Sequence, residues 1–245
     1  DEYEGIYIIN ADGTGKTKLT GKRADLYRYG WSPDGSKIVF LSGQFDQKER
    51  QDEIYIMNPD GTDKRQLTNT RIYKISPVWS PDGKKIAFIS QKKYFDGMRF
   101  NGAYGYNGWN HDVFSINTDG TSLINLSNSE DLEEGIPVWS PEGSKIAYDA
   151  TEIRNGVRHL DIYVMNADGT NQVCLTKAGD NYNPVWSPDN QKIAYITEAE
   201  GTLSGLTRTT GYAIFVVSIN NSTNPINLTE RRSRQIENLS WSPDG

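Results

Sequence analysis

The chain has 245 residues, a formal net charge of -6 from 26 Lys and Arg against 32 Asp and Glu, and 36% hydrophobic residues, which is typical of a globular protein. It has no apolar run of the roughly 20 residues that cross a bilayer, no signal-peptide pattern at its start, and no Lys/Arg run longer than two. The composition therefore argues against a membrane span and against nucleic acid as a partner, and the single cysteine, Cys174, excludes an internal disulfide and a cysteine-based zinc site.

Two short motifs alternate along the whole chain. The first is Trp-Ser-Pro-Asp-Gly, which recurs with single changes in two copies and begins at Trp31, Trp79, Trp139, Trp186 and Trp241. The second is Asn-x-Asp-Gly-Thr, which begins at Asn10, Asn58, Asn117 and Asn166 and is degenerate at Asn220. Successive tryptophans lie 48, 60, 47 and 55 residues apart. Such a period indicates a repeat architecture.

Both motifs are turn sequences with strand-like flanks. Proline presets the second turn position of Ser-Pro-Asp-Gly, and Asn-x-Asp-Gly is a strong tight-turn signal. A strand is predicted before the tryptophan (A), after the first turn (B), before the second turn (C) and after it (D), where the sequence ends in Leu-Thr or Leu-Ser. Small residues alternate with large ones in strand B, at Val39, Ala87, Ala147 and Ala194. Each repeat is therefore predicted to be a four-stranded antiparallel meander.

An all-β propeller explains this pattern best, because blades with apolar B and C strands need neighbours on both faces. Four complete blades are predicted at 25–68, 72–127, 133–176 and 181–229. The chain opens with strands C and D and closes with a strand A, and these pieces can pair into a composite fifth blade. We expect a single propeller domain over 1–245 that is a fragment or is truncated at its C-terminus, with the five repeat tryptophans as structural anchors largely buried between blades.

The combined motifs, Pro-x-Trp-Ser-Pro-Asp-Gly followed by Ile-Tyr-x-Met-Asn-x-Asp-Gly-Thr, resemble the TolB-type propeller repeat, which is of the WD40-like (PD40) kind. The resemblance implies six blades if sequence is missing, a protein-binding role and a periplasmic or extracellular location. Similar propellers also occur in prolyl-oligopeptidase-like peptidases. No Gly-x-Ser-x-Gly nucleophile elbow occurs in the chain, and no α/β domain precedes the repeats.

Binding is expected on the face that carries the B–C and D–A connections, because these vary in length while the turns are uniform. The B–C connections are read as variable loops at 41–53, 89–112, 149–161 and 196–215. The longest holds a tryptophan that the repeat does not need, in a segment rich in aromatics and glycine. The predicted ligand-binding residues are Tyr104, Tyr106 and Trp109 as stacking anchors, with Arg99 and His111 as polar contacts. Packing of this segment on itself is the alternative.

His111 and His159 are interpreted as equivalent positions just before strand C and are weak candidates for a metal site. Polar capping of a strand is the simpler interpretation, and no cofactor is expected. The first functional hypothesis is a non-catalytic scaffold that binds a protein or glycan. The alternatives are the gating propeller of a larger hydrolase and a metal-assisted polysaccharide lyase.

Overall fold

The computed structural model describes residues 5–21, 24–46, 49–91, 111–200, 210–229, 236 and 238–245. Within those ranges every regular element is a β-strand, which confirms the all-β prediction. The same ranges contain no helix with the length and apolar character needed to cross a membrane. The chain divides into two compact units, unit 1 at Asp1–Asn125 and unit 2 at Leu126–Gly245.

Unit 1 consists of a hairpin and two four-stranded antiparallel blades. The hairpin pairs β1 (Tyr7–Ile8) with β2 (Thr17–Lys18). Blade one contains β3 (Ala24–Trp31), β4 (Ile38–Asp46), β5 (Glu49–Met57) and β6 (Arg65–Gln66). Blade two contains β7 (Lys74–Trp79), β8 (Lys85–Gln91), β9 (His111–Asn117) and β10 (Ile124–Asn125). Strands adjacent in sequence are adjacent in the sheet, as the meander prediction requires.

Unit 2 contains two further blades of the same kind. Blade three contains β11 (Leu132–Glu134), β12 (Val138–Trp139), β13 (Lys145–Arg154), β14 (Val157–Asn166) and β15 (Val173–Cys174). Its strand A is split into β11 and β12, which both pair with β13. Blade four contains β16 (Asp180–Trp186), β17 (Lys192–Glu200), β18 (Thr210–Ser218) and β19 (Asn221–Asn227). No strand is present at 236 or 238–245, so the composite fifth blade stays a prediction.

The cores lie between neighbouring blades of each unit. In unit 1 the alternate residues of strands B and C in blade one pack against strands B and C of blade two. In unit 2 the corresponding residues of blade three pack against Trp186, Ile193 and Tyr195 of blade four. Residues two apart in a strand share a face, so this packing follows directly from the period-two pattern of the sequence.

Three repeat tryptophans connect their blade to strand A of the blade before it. Each donates its indole N–H to the backbone carbonyl of the residue that directly precedes the previous repeat tryptophan. The pairs are Trp79 with Gly30 (3.1 Å), Trp186 with Val138 (3.0 Å) and Trp241 with Val185 (3.1 Å). Trp139 and Trp186 are only 8% and 7% exposed. For these two residues the predicted burial is confirmed.

For Trp31 the predicted burial is wrong, because 49% of this residue is exposed. The described strands before β3 are only β1 and β2, which correspond to strands C and D of a blade. Ile6 of that hairpin segment packs against Ile38 and Phe40 in strand B of blade one. The described residues before β3 include no strand A that could cover the indole of Trp31. Burial of this position therefore depends on a neighbouring strand and not on the motif itself.

Candidate binding face

At the turn ends of the blades, the polar side chains form hydrogen bonds within their own turns. In each Asn-x-Asp-Gly-Thr turn the Asp carboxylate accepts hydrogen bonds from the Thr amide and hydroxyl, at Asp12, Asp60, Asp119 and Asp168. In the first Ser-Pro-Asp-Gly turn the Ser32 hydroxyl donates to Asp34 at 2.6 Å, and this bond and those from Ser36 lower the pKa of the Asp34 carboxyl to about 2. These carboxylates accept hydrogen bonds that close their own turns, which leaves them little capacity to bind a ligand.

The opposite ends, where strands B and C meet, are extended hairpins in three of the blades. Strands β4 and β5 pair out to Asp46 and Glu49, and β17 and β18 pair out to Glu200 and Thr210. In blade three β13 and β14 pair out to Arg154 and Val157 around an Asn155-Gly156 turn, in which both residues have positive φ. The interpretation of these B–C connections as loops was therefore wrong. Cross-strand pairing continues through polar residues that give no apolar signal in the sequence.

Buried polar contacts join the blades of unit 1 near the B–C end. Lys74, at the start of strand A in blade two, is only 1% exposed, and its ammonium lies 2.9 Å from the Glu53 carboxylate of blade one. The same ammonium donates to the Thr70 hydroxyl at 2.6 Å and to the Ile72 carbonyl at 2.8 Å. Desolvation lowers the pKa of Lys74, although Glu53 opposes that shift. This contact connects two strands rather than forming an open site, since its donors are all used.

The corresponding contact in unit 2 is made by neutral and acidic groups. Asp161 in strand C of blade three accepts hydrogen bonds from the Thr176 hydroxyl at 2.9 Å and from the Asn181 amide of blade four at 3.2 Å. Asn181 stands at the position of Lys74, five residues before the repeat tryptophan, and accepts a hydrogen bond from the Thr197 hydroxyl at 2.8 Å. An amide thus replaces the ammonium because it can both donate and accept.

The exposed part of the blade-three hairpin carries a second polar cluster. The Arg154 guanidinium forms an ion pair with Glu152 and lies 3.3 Å from Asp161. The Tyr163 hydroxyl also donates to Glu152, at 3.3 Å. The hydrogen bond from Arg154 is the largest contribution that lowers the pKa of Glu152. Beyond this cluster the hairpin tip exposes two apolar residues, Ile153 and Val157, at 46% and 56%.

Sequence reasoning missed one unusual residue, Asp149 in strand B of blade three. The same strand position holds Leu41, Ile89 and Ile196 in the other blades, and all three are buried. Burial raises the pKa of the Asp149 carboxyl to about 6. An alignment of the four strands B would have revealed that an aspartate replaces an aliphatic residue here, because all four strands share an aromatic residue directly before this position.

Of the predicted ligand-binding residues, Arg99, Tyr104, Tyr106 and Trp109 lie outside the described residues. His111 is the first residue of β9, pairs with Gln91, and has its ring 6.3 Å from that of Tyr73. It therefore stands at the base of the segment in which the binding site was predicted. The ligand role of all five residues stays a prediction.

The two histidines do not occupy equivalent repeat positions. Val113 and Ile162 are aligned, and His111 precedes the first by two residues while His159 precedes the second by three. Side chains alternate along a strand, so the two histidines point to opposite faces of their respective blades. His159 pairs with Glu152 across the hairpin. The described residues contain no group of three or more His, Cys, Asp or Glu side chains that could hold a metal ion.

Comparison with known proteins supports the propeller assignment. A family model described as TolB beta propeller domain matches residues 1–101. The structure resembles putative TolB from Agrobacterium tumefaciens (TM-score 0.59, 21% identity, 91% of this chain and 73% of that chain). It also resembles oligogalacturonate lyase from Vibrio parahaemolyticus (0.70, 15%, 98% and 61%) and acylaminoacyl peptidase from Pyrococcus horikoshii (0.58, 17%, 87% and 34%). No curated protein matches the sequence.

These similarities confirm a TolB-like propeller as the fold that the motifs indicated. At 15 to 21% identity, these similarities show that the fold is shared but do not show that the activity is shared. The chain spans 61% of the lyase and 34% of the peptidase. The functions of those whole proteins therefore enter only as hypotheses.

Proposed function

We propose that this TolB-like propeller is a non-catalytic scaffold that binds a protein partner through the B–C ends of its blades. The observation that carries the proposal is the contrast between the two ends of blades one, three and four. The turn ends use their carboxylates internally, whereas the B–C ends of blades one, three and four are paired hairpins, and the tip described in blade three exposes its side chains. A rigid hairpin presents side chains at fixed positions and loses little conformational entropy on binding.

The tip of the blade-three hairpin has the composition of a protein interface. Ile153 and Val157 are exposed apolar residues on opposite faces of the hairpin, each directly across from an arginine, Arg158 and Arg154 respectively. Exposed apolar residues beside arginine are common in protein interfaces. A glycan partner, which the predicted stacking residues around Trp109 could bind as well as a protein, is the second outcome that the experiments distinguish.

Site-specific photo-crosslinking in the native host tests this proposal. A photoreactive phenylalanine analogue at Val157 should give a discrete protein adduct. The same analogue at Val173 is a matched control, because Val173 is 51% exposed but lies on strand D, away from the hairpin tip. No adduct at Val157, or an equal adduct at both positions, would contradict binding through this hairpin.

The predicted site at Arg99, Tyr104, Tyr106, Trp109 and His111 is tested separately. If Trp109 serves binding, Trp109→Ala should abolish affinity for the crosslinked protein, or for an oligosaccharide on a glycan array, and leave Tm nearly unchanged. If Trp109 packs within its own segment, the same change should lower Tm and leave binding intact. Binding to the array without any protein adduct would favour the glycan partner.

The second candidate is the gating propeller of a larger hydrolase, favoured by the structural similarity to the Pyrococcus peptidase. A hydrolase domain encoded in the same gene would support it against the scaffold. The polysaccharide lyase hypothesis, suggested by the similarity to oligogalacturonate lyase, requires a stoichiometric divalent ion in the purified protein. The TolB resemblance also leads us to propose a periplasmic or extracellular location, which fractionation of host cells would test.

A further inference from the structure

At the junction between blades three and four, a carboxyl group occupies a strand position that holds an aliphatic side chain in the other three blades. Asp149 shares a face of β13 with Ala147, and Ile162 lies directly opposite it on β14. Ala147 and Ile162 both belong to the core that packs against Trp186 and Ile193 of blade four. Because side chains two apart point the same way, the Asp149 side chain is directed towards this interblade seam.

A glycine in strand A makes room for this carboxyl group. The cross-strand pair at this level is Ile75 with Ile89 in blade two and Tyr182 with Ile196 in blade four. In blade three the positions are taken by Gly135 and Asp149, and the Gly135 amide donates to the Asp149 carbonyl at 2.7 Å. A Cβ added at Gly135 would lie 2.6 Å from Oδ2 and 2.8 Å from Cγ of Asp149. The glycine and the carboxyl group therefore fit each other, and a larger residue would collide.

Among the described residues, no cation forms an ion pair with the Asp149 carboxyl. Its carboxyl accepts a hydrogen bond from its own amide, and no other side chain in the described part of the chain bonds to it. The elements around it carry the acids and phenols Glu133 and Glu134 on β11, Asp161 and Tyr163 on β14, Asp180 and Tyr182 on β16, and Tyr195 and Glu198 on β17. They also carry Arg158 and His159 on β14 and Lys192 on β17. Arg158 donates to the Thr151 hydroxyl at 3.3 Å, His159 pairs with Glu152, and Lys192 is exposed at the turn end of its strand. The guanidinium of Arg154 is held by Glu152 and Asp161.

We propose that Asp149 is a proton-controlled latch of the seam between blades three and four, which stays closed when the carboxyl is neutral and opens locally when it is ionised. The physical cause is partial desolvation, since Asp149 is half-buried and its ionised carboxylate gains from fuller contact with water than the seam allows. Opening would release the indole hydrogen bond from Trp186 to Val138, the contact that joins strands A of these two blades.

The size of the effect follows from proton linkage. Burial raises the pKa of the Asp149 carboxyl from 3.8 to about 6 in the closed seam. If the carboxyl recovers its ordinary pKa in the open form, the opening equilibrium shifts towards the open form by up to about 100-fold as pH rises through this range. Above about pH 7 the shift is complete.

Indole N–H exchange measured by NMR in the whole chain tests the latch. Trp79, whose indole makes the same bond to Gly30 at 3.1 Å, is the internal reference in unit 1. Between pH 5 and pH 8 the exchange rate of Trp186 relative to that of Trp79 should rise about 10-fold, since the rest of the shift lies below pH 5. In Asp149→Asn the ratio should stay constant, and Asp149→Leu, which restores the residue type of Leu41, is a second neutral variant.

Asp180→Asn is the matched control, because Asp180 is an exposed carboxyl on β16 of the same seam. This variant should retain the wild-type rise. A constant ratio in the wild-type protein would overturn the latch, because it would mean that both indoles exchange through a common opening. The same rise in either neutral variant at Asp149 would also overturn it.

Discussion

Replacement of Trp186 by alanine should destabilise unit 2 by about 3 to 5 kcal/mol, the range for truncation of a buried aromatic residue. Trp186 is 7% exposed and packs against Ala147, Ile162 and Ile193. It also donates to the Val138 carbonyl, and a buried hydrogen bond contributes about 1 kcal/mol of this total. Trp186→Phe, which keeps most of the apolar surface and loses the donor, should therefore cost less than half as much as Trp186→Ala.

Urea unfolding at 25 °C, followed by far-UV circular dichroism, measures these differences without relying on tryptophan fluorescence. Trp31→Ala is the matched control, because it removes the same side chain from the same motif at a residue that is 49% exposed. Its cost should be about 1 kcal/mol, in line with partial burial. Equal losses for Trp31→Ala and Trp186→Ala would refute the reasoning, as would a loss below about 1 kcal/mol for Trp186→Ala.

Three further outcomes follow from polar groups that are buried or half-buried. Lys74→Met should cost about 3 kcal/mol in urea unfolding because it removes the ammonium that neutralises the buried Glu53 carboxylate, which keeps its hydrogen bonds from Thr68, Thr70 and Arg71, and adding Glu53→Gln should recover part of that loss. Since the folded pKa of Asp149 is raised from 3.8 to about 6, stability should fall by about 3 kcal/mol as pH rises through this window, and Asp149→Asn should lack this fall. Burial raises the pKa of Cys174, whose thiol donates to the Thr176 carbonyl at 2.9 Å, so labelling by a disulfide reagent at pH 8 should be slow until urea unfolds the chain.

The turns and the blade cores were predictable because the residues that determine them lie close together in the sequence. Pro33, Asp34 and Gly35 fix one turn through backbone preference and side-chain hydrogen bonds within five residues. Period-two alternation in strands such as 38–41 then assigns the faces of strands B and C. The predicted blade bounds accordingly differ from the observed sheets by only a few residues.

The B–C ends were harder to predict because their pairing has no apolar pattern. Residues 149–161 read as a variable connection, yet they pair in register around Asn155 and Gly156. The Asn-Gly dipeptide was the available signal, since it is the strongest short-range indicator of a tight hairpin. Polar cross-strand pairs, including Glu152 with His159, support the hairpin without marking it in a hydrophobicity profile.

Identical motifs differ in burial according to what packs on them, which a single sequence cannot show. Leu175 and Leu228 end strand D of successive blades in unit 2, but the first is 5% exposed and the second 59%. Trp186 packs in the core beside Leu175, whereas the residues described after β19 form no strand that could cover Leu228. Trp31 shows the same effect in unit 1. A propeller motif therefore specifies a surface that needs a neighbouring blade, and exposure of its leucine or tryptophan marks where the described chain lacks one.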